Sequence, residues 1–292
     1  MSNNKKINIF LLIIAVVLFI FLPRFLSGYW VRVITTIFMY AVIAQGMNIM
    51  SGYMGYLPFG NAMFFGIGAY VTAIGMSKGL PFLLVVPLAA ITAILFSILL
   101  GIPVLRLRGH YFAIATIGMS GAILSVVQNA TEITGGAMGT TLPIIDKAPG
   151  IVYNYFYLAM LGLMVVTSLS LHFIIKSRFG FGIRSIKANE EAANSMGINT
   201  TYTKVVAWAI SAFFTSIAGA LYAYWMSFIA PDEVFDVMIA VNTIVIMLIG
   251  GAGSILGPII GKVVPIAPPV ISVAFCTTDK IAALIPMVAI AK

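Results

Sequence analysis

The densest group of charged and polar side chains in this sequence lies between residues 184 and 197. Glu190 and Glu191 follow Lys187 by about one helical turn, and small alanines stand beside them. Such a group suits close docking against another surface, but it supplies no nucleophile, metal-ligand set or acid–base pair. It therefore predicts an interaction site. Its candidate residues are Arg184, Lys187, Asn189, Glu190, Glu191, Ala192, Ala193 and Gly197.

A second group consists of glycines, one proline and uncharged polar residues within apolar stretches. Glycines at every fourth position from 253 to 261 would make a flat helical stripe that another backbone can approach closely. Two interpretations stay open: helix packing, or broken helices beside a substrate path, since irregular backbone at membrane depth needs a cavity or protein cover. The candidates are Asn48, Gly52, Pro58, Gly60, Asn61, Gly66, Gly68, Thr116, Asn242, Gly250, Gly251, Gly253 and Gly257.

Several kinds of chemistry are excluded by what the sequence lacks. The string nearest to a phosphate-binding loop, 257–263, has the wrong spacing and ends in Val263 in place of a hydroxyl residue. The lone Cys276 and the distant His110 and His172 cannot form a metal site of the usual ligand count. The apolar stretches carry no carboxylate pair or proton relay. We therefore predict no catalytic residue, no metal site and no cofactor site in this chain.

The composition places these candidates in a membrane protein. Of 292 residues, 61% are hydrophobic and 8% are charged, against about 25% charged in a soluble domain. A bilayer-spanning helix takes about 20 apolar residues, so the chain has room for roughly eight to ten spans. We predict an all-α integral membrane protein with about eight to ten transmembrane or partly spanning helices, forming one domain over residues 1–292.

Eight apolar stretches are candidate spans. Beyond them, 263–275 and 281–290 are short and interrupted by prolines, so half-helices, one bent span or surface segments all fit. The eight stretches cover residues 7–22, 31–50, 57–76, 82–105, 111–127, 155–175, 205–228 and 237–249.

The basic residues indicate the orientation of the spans. The net charge of +8 comes from residues scattered between apolar runs, which is typical of membrane topology and not of a nucleic-acid surface. With the N-terminus in the cytoplasm, most basic residues fall inside, although Arg24 and Arg32 fall outside. The outer acidic residues Asp232, Glu233 and Asp236 fit either a solvated loop or a docking site for a basic patch.

Two connections are long enough to hold local structure. The outer one, 128–154, is rich in glycine and proline and is predicted to form turns with at most one short helix. In the inner one, 176–204, Gly180 and Gly182 are predicted to break the chain before a helix over 183–196, which ends at Gly197 as a left-handed cap. This helix is either a solvated loop helix or one that inserts into a partner's groove and transmits its motion to the spans.

The order and spacing of several motifs from about Met47 to Gly261 resemble those of a known transporter family. The stretches are 47–62, 65–70, 105–116, 134–136, 184–198 and 249–261. They are similar to permeases of ATP-binding-cassette importers, specifically the branched-chain amino acid family, on the side of its second, M-type permease. Two departures stand out: Gly180-Phe181-Gly182 replaces a Gly-Arg pair before the inner helix, and the segment 262–292 is atypical.

The resemblance implies a set of partners. The inner helix would be the cytoplasmic coupling helix, with Glu190, Glu191, Ala193 and Gly197 on its recurring acidic, small and glycine positions. It would dock in a cleft of a separate cytoplasmic ATPase subunit, one of two such subunits that hold the ATP and magnesium. A second permease subunit and an extracytoplasmic substrate-binding protein would complete the importer in the lipid of a bacterial or archaeal-type cytoplasmic (inner) membrane, with no nucleic acid involved.

The substrate stays the most open part of this interpretation. Branched-chain or other hydrophobic amino acids are implied, while relatives that move urea, short amides, sugars or nucleosides share the gross architecture. A stand-alone channel or a non-transporting membrane scaffold is the alternative from a different class. A coupling helix would have no use in such a protein.

Overall fold

A computed structural model of this chain describes residues 18–107, 109–143, 149–254, 257 and 261. The helices are α1 (Gly28–Asn48), α2 (Asn61–Ser77), α3 (Phe82–Val104), α4 (His110–Asn129), α5 (Thr131–Thr134), α6 (Pro149–Lys176), α7 (Arg178–Ala188), α8 (Glu190–Ser195), α9 (Thr200–Met226), α10 (Pro231–Val234) and α11 (Val237–Gly250). Six helices of the described ranges are long and apolar enough to cross a membrane, and α2 is a shorter apolar helix. The predicted all-α, multi-pass membrane architecture is confirmed.

The predicted spans agree with the described helices except at the ends of the chain. Helices α1, α2, α3, α4, α6, α9 and α11 lie on the apolar stretches from 31 to 249. Of the first stretch, only residues 18–22 are described: 18–21 are α-helical, and Leu22 begins a 3-10 turn. The segments 263–275 and 281–290, and the tail 262–292 that contains them, lie outside the described residues.

Helix α9 organises the packing of the bundle. It lies along α2 and α3 and also contacts α1 and α6, and its Trp208 is fully buried. Helices α3 and α4 instead present apolar side chains outward, such as Leu83, Leu99 and Ile114. Because lipid tails are as apolar as leucine, such a surface is compatible with a bilayer, whereas in water it would favour aggregation.

The contact between α2 and α9 depends on glycine. A Cβ on Gly68 would lie 2.0 Å from the backbone oxygen of Ser216, and one on Gly219 would lie 2.1 Å from the backbone oxygen of Phe65. Real side chains do not approach that closely, so the two backbones touch where only glycine fits. Close approach through small residues is a main way in which helices associate in membranes.

Helix α1 does not run directly into α2. It continues as a π-helical turn, Ile49–Met54, which Gly55 ends in the left-handed conformation with φ of 86°. Residues 55–58 are not helical, which is why α2 begins at Asn61, four residues later than the predicted span. The break carries Tyr56 to the side of Glu190.

The connection between α4 and α6 is shorter than predicted, because α4 extends to Asn129 and α6 begins at Pro149. It contains α5, a 3-10 turn at Gly136–Met138 and a two-residue strand, β1 (Thr140–Thr141). This strand pairs antiparallel with β2 (Phe228–Ile229), directly after α9. The connection is therefore tied to the end of α9; residues 144–148 lie outside the described residues.

The prediction of one helix over 183–196 in the connection between α6 and α9 is wrong. Helix α7 begins at Arg178, so Gly180 and Gly182 lie within it and do not break the chain. Gly180 is needed there because a Cβ would lie 2.4 Å from a backbone oxygen at the end of α6. The break comes at Asn189, whose extended backbone ends α7 and whose side chain accepts two backbone N–H groups of α8.

Candidate functional site

The helices α7 and α8, residues 178–195, form a segment at one end of the bundle, between the end of α6 and the start of α9; we call it the α7–α8 segment. Arg184 fixes its junction with α6, because Nη2 donates to the oxygen of Ile175 at 2.8 Å and Nε to that of Gly180 at 3.3 Å. Gly197 follows α8 with φ of 84°, the left-handed conformation that the sequence predicts.

A partly buried group of three side chains, Tyr56, Glu190 and Lys204, links this segment to the bundle; we call it the anchor cluster. Glu190 forms an ion pair with Lys204 and accepts a hydrogen bond from the Tyr56 hydroxyl. The Lys204 side chain is 3% exposed, and its ammonium lies 4.5 Å from the centre of the Tyr56 ring. The ammonium also donates to the oxygen of Leu105 at 3.4 Å. The cluster thus holds α8 to α9, to the end of α3 and to the break before α2.

A second link joins the segment to the π-helical turn after α1. Lys187 Nζ donates to the oxygen of Gly52 at 2.7 Å. Gly52 in turn touches Asn48, because a Cβ there would lie 1.8 Å from Asn48 Oδ1. That oxygen accepts from the nitrogen of Gly253 at 2.9 Å, while Asn48 Nδ2 donates to the oxygen of Ser254 at 2.7 Å. One chain of contacts therefore connects α7, the end of α1 and the turn after α11.

The two adjacent glutamates have different surroundings. Glu190 is 17% exposed and belongs to the anchor cluster, whereas Glu191 is exposed. Ala193 is buried against the bundle, and Ala192 is exposed. The exposed part of the connection also carries Met196, at 70% exposure. Methionine is enriched at protein–protein interfaces, so Met196 is the exposed side chain here that best fits a surface covered by a partner.

Aromatic rings continue from the anchor cluster into the bundle. The ring of Tyr56 lies 5.4 Å from that of Phe112 on α4, which lies 6.0 Å from Trp208 on α9. Trp208 lies 5.4 Å from Phe64 on α2. A displacement of the α7–α8 segment would therefore reach three helices through side chains in van der Waals contact.

Most of the other polar and glycine candidates lie where helices touch. Asn61 Nδ2 donates to the Thr215 hydroxyl, and Asn61 Oδ1 accepts from the Ser211 hydroxyl, both at 3.1 Å. A Cβ on Gly60 would lie 2.5 Å from the backbone oxygen of Thr116. These polar side chains bond helix to helix, as polar residues in membrane bundles commonly do.

The remaining described glycine candidates also make close contacts or turns. A Cβ on Gly66 would lie 2.4 Å from the ring of Phe235. The backbones of Gly250 and Gly257 touch, since a Cβ on the first would lie 1.8 Å from the oxygen of the second. Gly251 turns the chain after α11 with φ of 96°.

A cavity of about 840 Å³ lies at the opposite end of the bundle from the α7–α8 segment, between α1, α6, α9 and α11; we call it the distal cavity. Among the described members of the predicted path set, Asn242 alone lines it. Arg32, Glu233 and Asp236 also line it, together with aromatic side chains. Charged side chains of both signs thus line one cavity, whose volume is typical of small-molecule sites.

Arg32, Lys204 and Tyr56 are not among the residues that the sequence predicts for a site. The sequence does single out Arg32, because the predicted topology places this basic residue on the outer side, where basic residues are less common. The anchor cluster carries no such signal: Tyr56 lies 134 residues from Glu190, and Lys204, 14 residues from Glu190, lies on a different helix beyond the turn at Gly197.

Related proteins are found along most of this chain. The high-affinity branched-chain amino acid transport system permease protein LivM of Salmonella typhimurium is 30% identical over 280 residues, which cover 87% of this chain and 65% of LivM. LivM of Escherichia coli K12 is 29% identical over the same shares. The LivH permease protein of Salmonella typhimurium is 26% identical over 270 residues, 82% of this chain and 83% of LivH.

The chain thus spans 65% of the length of the two LivM proteins. No solved structure matches it. A sequence model of the family described as branched-chain amino acid transport system / permease component matches residues 29–266. This match covers most of the sequence and nearly all of the described helices, so the chain belongs to the family of permease components of branched-chain amino acid transport systems.

Proposed function

We propose that this chain is a permease subunit of an ATP-binding-cassette importer that moves branched-chain or other hydrophobic amino acids across a cytoplasmic membrane. The observation that carries the proposal is the α7–α8 segment: a polar, exposed pair of short helices held to the bundle by the anchor cluster. Family membership and the names of the LivM and LivH relatives support the transported class.

The α7–α8 segment serves as the coupling element in this proposal. Its exposed side, with Glu191, Ala192 and Met196, docks on a cytoplasmic ATPase subunit, and two such subunits bind the ATP and magnesium. Closure of the ATPases pushes the segment, and the anchor cluster passes the displacement to α9 and to the break before α2. A channel or a scaffold has no need for such a linkage.

The same proposal includes the other partners of the chain and its orientation in the membrane. The α7–α8 segment faces the cytoplasm together with the N-terminus, and the distal cavity faces the extracytoplasmic binding protein. A second permease subunit completes the path, whose candidates in this chain include Asn48, Gly52 and Asn242. Residues 1–292 act as a single permease domain surrounded by lipid.

The first test is purification of the tagged chain from its own membrane in mild detergent, followed by mass spectrometry of what accompanies it. We expect an ATPase subunit and a second permease with the wild-type chain. Glu191→Lys reverses a charge on the docking side and should reduce the retained ATPase roughly tenfold or more, since reversing an interface charge costs several kcal/mol. Uptake of leucine should fall with it.

The matched control is Glu132→Lys, the same charge reversal on the exposed α5 at the other end of the bundle. It should leave the ATPase bound. A wild-type chain that purifies alone or as a homo-oligomer would contradict the proposal and favour the channel or scaffold. An ATPase retained equally by Glu191→Lys would contradict the assigned docking side.

A further inference from the structure

The distal cavity reaches from the end of the bundle deep along α1. Its lining on that helix runs from Gly28 to Tyr40, twelve residues apart, which at 1.5 Å per residue is about 18 Å. Its volume of about 840 Å³ lies within the range of about 300 to 1,000 Å³ that is usual for small-molecule sites. Six helices, α1, α2, α6, α9, α10 and α11, contribute residues to its lining, so the cavity lies between elements of the bundle.

Arg32 presents its positive charge to this cavity. Its guanidinium lies 5.5 Å from the ring centre of Tyr153 and 6.0 Å from that of Trp225, and both rings line the cavity too. Within the described part of the chain, the guanidinium makes no ion pair and no hydrogen bond. Rings hold such a cation in place by cation–π attraction but leave its N–H donors free for an anionic ligand.

Negative charge lies in the same cavity. Asp236 and Glu233 line it, at the start of α11 and just before it. Asp236 uses one carboxylate oxygen to cap α11, accepting from the nitrogen of Met238 at 2.8 Å. Neither acid forms an ion pair with Arg32 among the described residues, so charges of both signs face the cavity without neutralising each other.

The rest of the lining is largely apolar. Met39, Phe65 and Ile239 supply aliphatic and aromatic surface, and the Asn242 amide is a polar group among them. A ligand that complements this lining carries a carboxylate, an ammonium and an apolar side chain. A sugar, a nucleoside or urea would leave a lone guanidinium and two carboxylates unmatched, which costs binding free energy.

We propose that the distal cavity is a binding site for zwitterionic amino acids with apolar side chains, in which Arg32 receives the α-carboxylate and Asp236, with Glu233, the α-ammonium. This inference rests on the proposed importer function and adds to it a binding site for the substrate in this chain. It also accounts for a basic residue on the predicted outer side, since Arg32 there serves a ligand and not the topology.

Binding is tested on the purified permease complex without its binding protein, by the fluorescence of Trp225 during titration with L-leucine. Leucinamide and 4-methylpentanoate, which each lack one of the two charges, serve as comparison ligands. We expect leucine to change the signal and each comparison ligand to bind roughly 10- to 100-fold more weakly, the loss typical of one charged hydrogen-bonded contact. Trp225→Phe should remove the signal.

Substitutions test which residue of the cavity binds each charged group of the ligand. Arg32→Gln should weaken leucine binding roughly tenfold or more and lower leucine uptake by the full importer, while Arg32→Lys retains part of both. Asp236→Asn should do the same without loss of the α11 cap, because asparagine caps equally well. Arg24→Gln and Asp232→Asn are the matched controls at the same end, outside the cavity lining, and should behave as wild type.

The outcomes separate the site from the function. Leucine uptake by the wild type that is unchanged in Arg32→Gln and Asp236→Asn would overturn the site and leave the importer proposal standing. Leucine uptake without any Trp225 response would also overturn the site. A wild-type importer that moves urea or a sugar but no amino acid would overturn the proposed substrate class and the site with it.

Discussion

Charged side chains have opposite kinds of surroundings at the two ends of the helix bundle. At the α7–α8 end, the Glu190 carboxylate pairs with Lys204 and accepts the Tyr56 hydroxyl, so buried charge is satisfied within the chain. At the distal cavity, Arg32 rests on aromatic rings while Asp236 lines the same space. Charge that is neutralised internally fixes a geometry, whereas charge facing a cavity remains available to a ligand. The first arrangement suits the transmission of motion and the second suits recognition.

The largest effect is expected where the internal neutralisation is removed. Lys204→Met keeps the length of the side chain but removes the cation that pairs with the Glu190 carboxylate, whose side chain is 17% exposed. Breaking a buried pair by removing one partner costs about 3–5 kcal/mol, because the other charge stays desolvated. We expect a marked fall in the apparent melting temperature of the detergent-solubilised chain.

A double variant separates the lost pair from lost packing. Glu190→Gln combined with Lys204→Met removes both charges and should recover part of the stability lost in Lys204→Met alone. Lys176→Met, at an exposed position at the end of α6, is the control for the substitution itself and should be nearly neutral. A single variant as stable as the wild type would mean that the anchor cluster does not hold the segment.

How far the sequence predicts this arrangement depends on the range of the interactions. The apolar runs predict α1, α3 and α9 because each helix satisfies its own backbone and must match the bilayer thickness. Gly197 was predicted as a left-handed cap because that conformation is local. The break at Asn189 was missed, although an asparagine followed by two glutamates is a usual start for a helix.

The sites were less predictable because they form between distant residues. Arg32, Tyr153 and Trp225 come from three helices, and no spacing in the sequence brings them to one cavity. Glycine at 68 signalled close packing, but its partner at Ser216 becomes visible only in the structure. Pairings of this kind depend on how the helices cross, which apolar periodicity alone does not determine.

An intermediate effect is expected at the contact between α2 and α9, because α9 contributes to both ends of the bundle. Gly68→Ala places a Cβ 2.0 Å from the backbone oxygen of Ser216, so the two helices must separate. Overpacking of this kind costs about 1–3 kcal/mol. The loss should appear in the apparent melting temperature and also in leucine binding at the distal cavity, which α9 lines with Tyr222 and Trp225.

Gly118→Ala on α4 is the matched control, since a Cβ there would meet no atom of the described residues within 4 Å. It should be neutral or slightly stabilising, because alanine is favoured over glycine within a helix by about 1 kcal/mol. Equal behaviour of the two alanine variants would mean that the α2–α9 contact can widen freely and does not connect the two ends.

The smallest effect should follow from the second link of the α7–α8 segment. Lys187 donates to the oxygen of Gly52 at 2.7 Å, but Lys187 is exposed, so water replaces much of the lost hydrogen bond. We expect Lys187→Met to cost about 1 kcal/mol or less in the free energy of unfolding, with Lys187→Arg retaining the donor as the control.

The effects of Lys187→Met and Lys204→Met on stability can be compared directly, because both variants replace a lysine by methionine. If Lys187→Met destabilised the chain as much as Lys204→Met, the exposed link would hold the segment as firmly as the buried pair. The conclusion that the ion pair of the anchor cluster, and not the exposed link, fixes the position of the α7–α8 segment would then be contradicted.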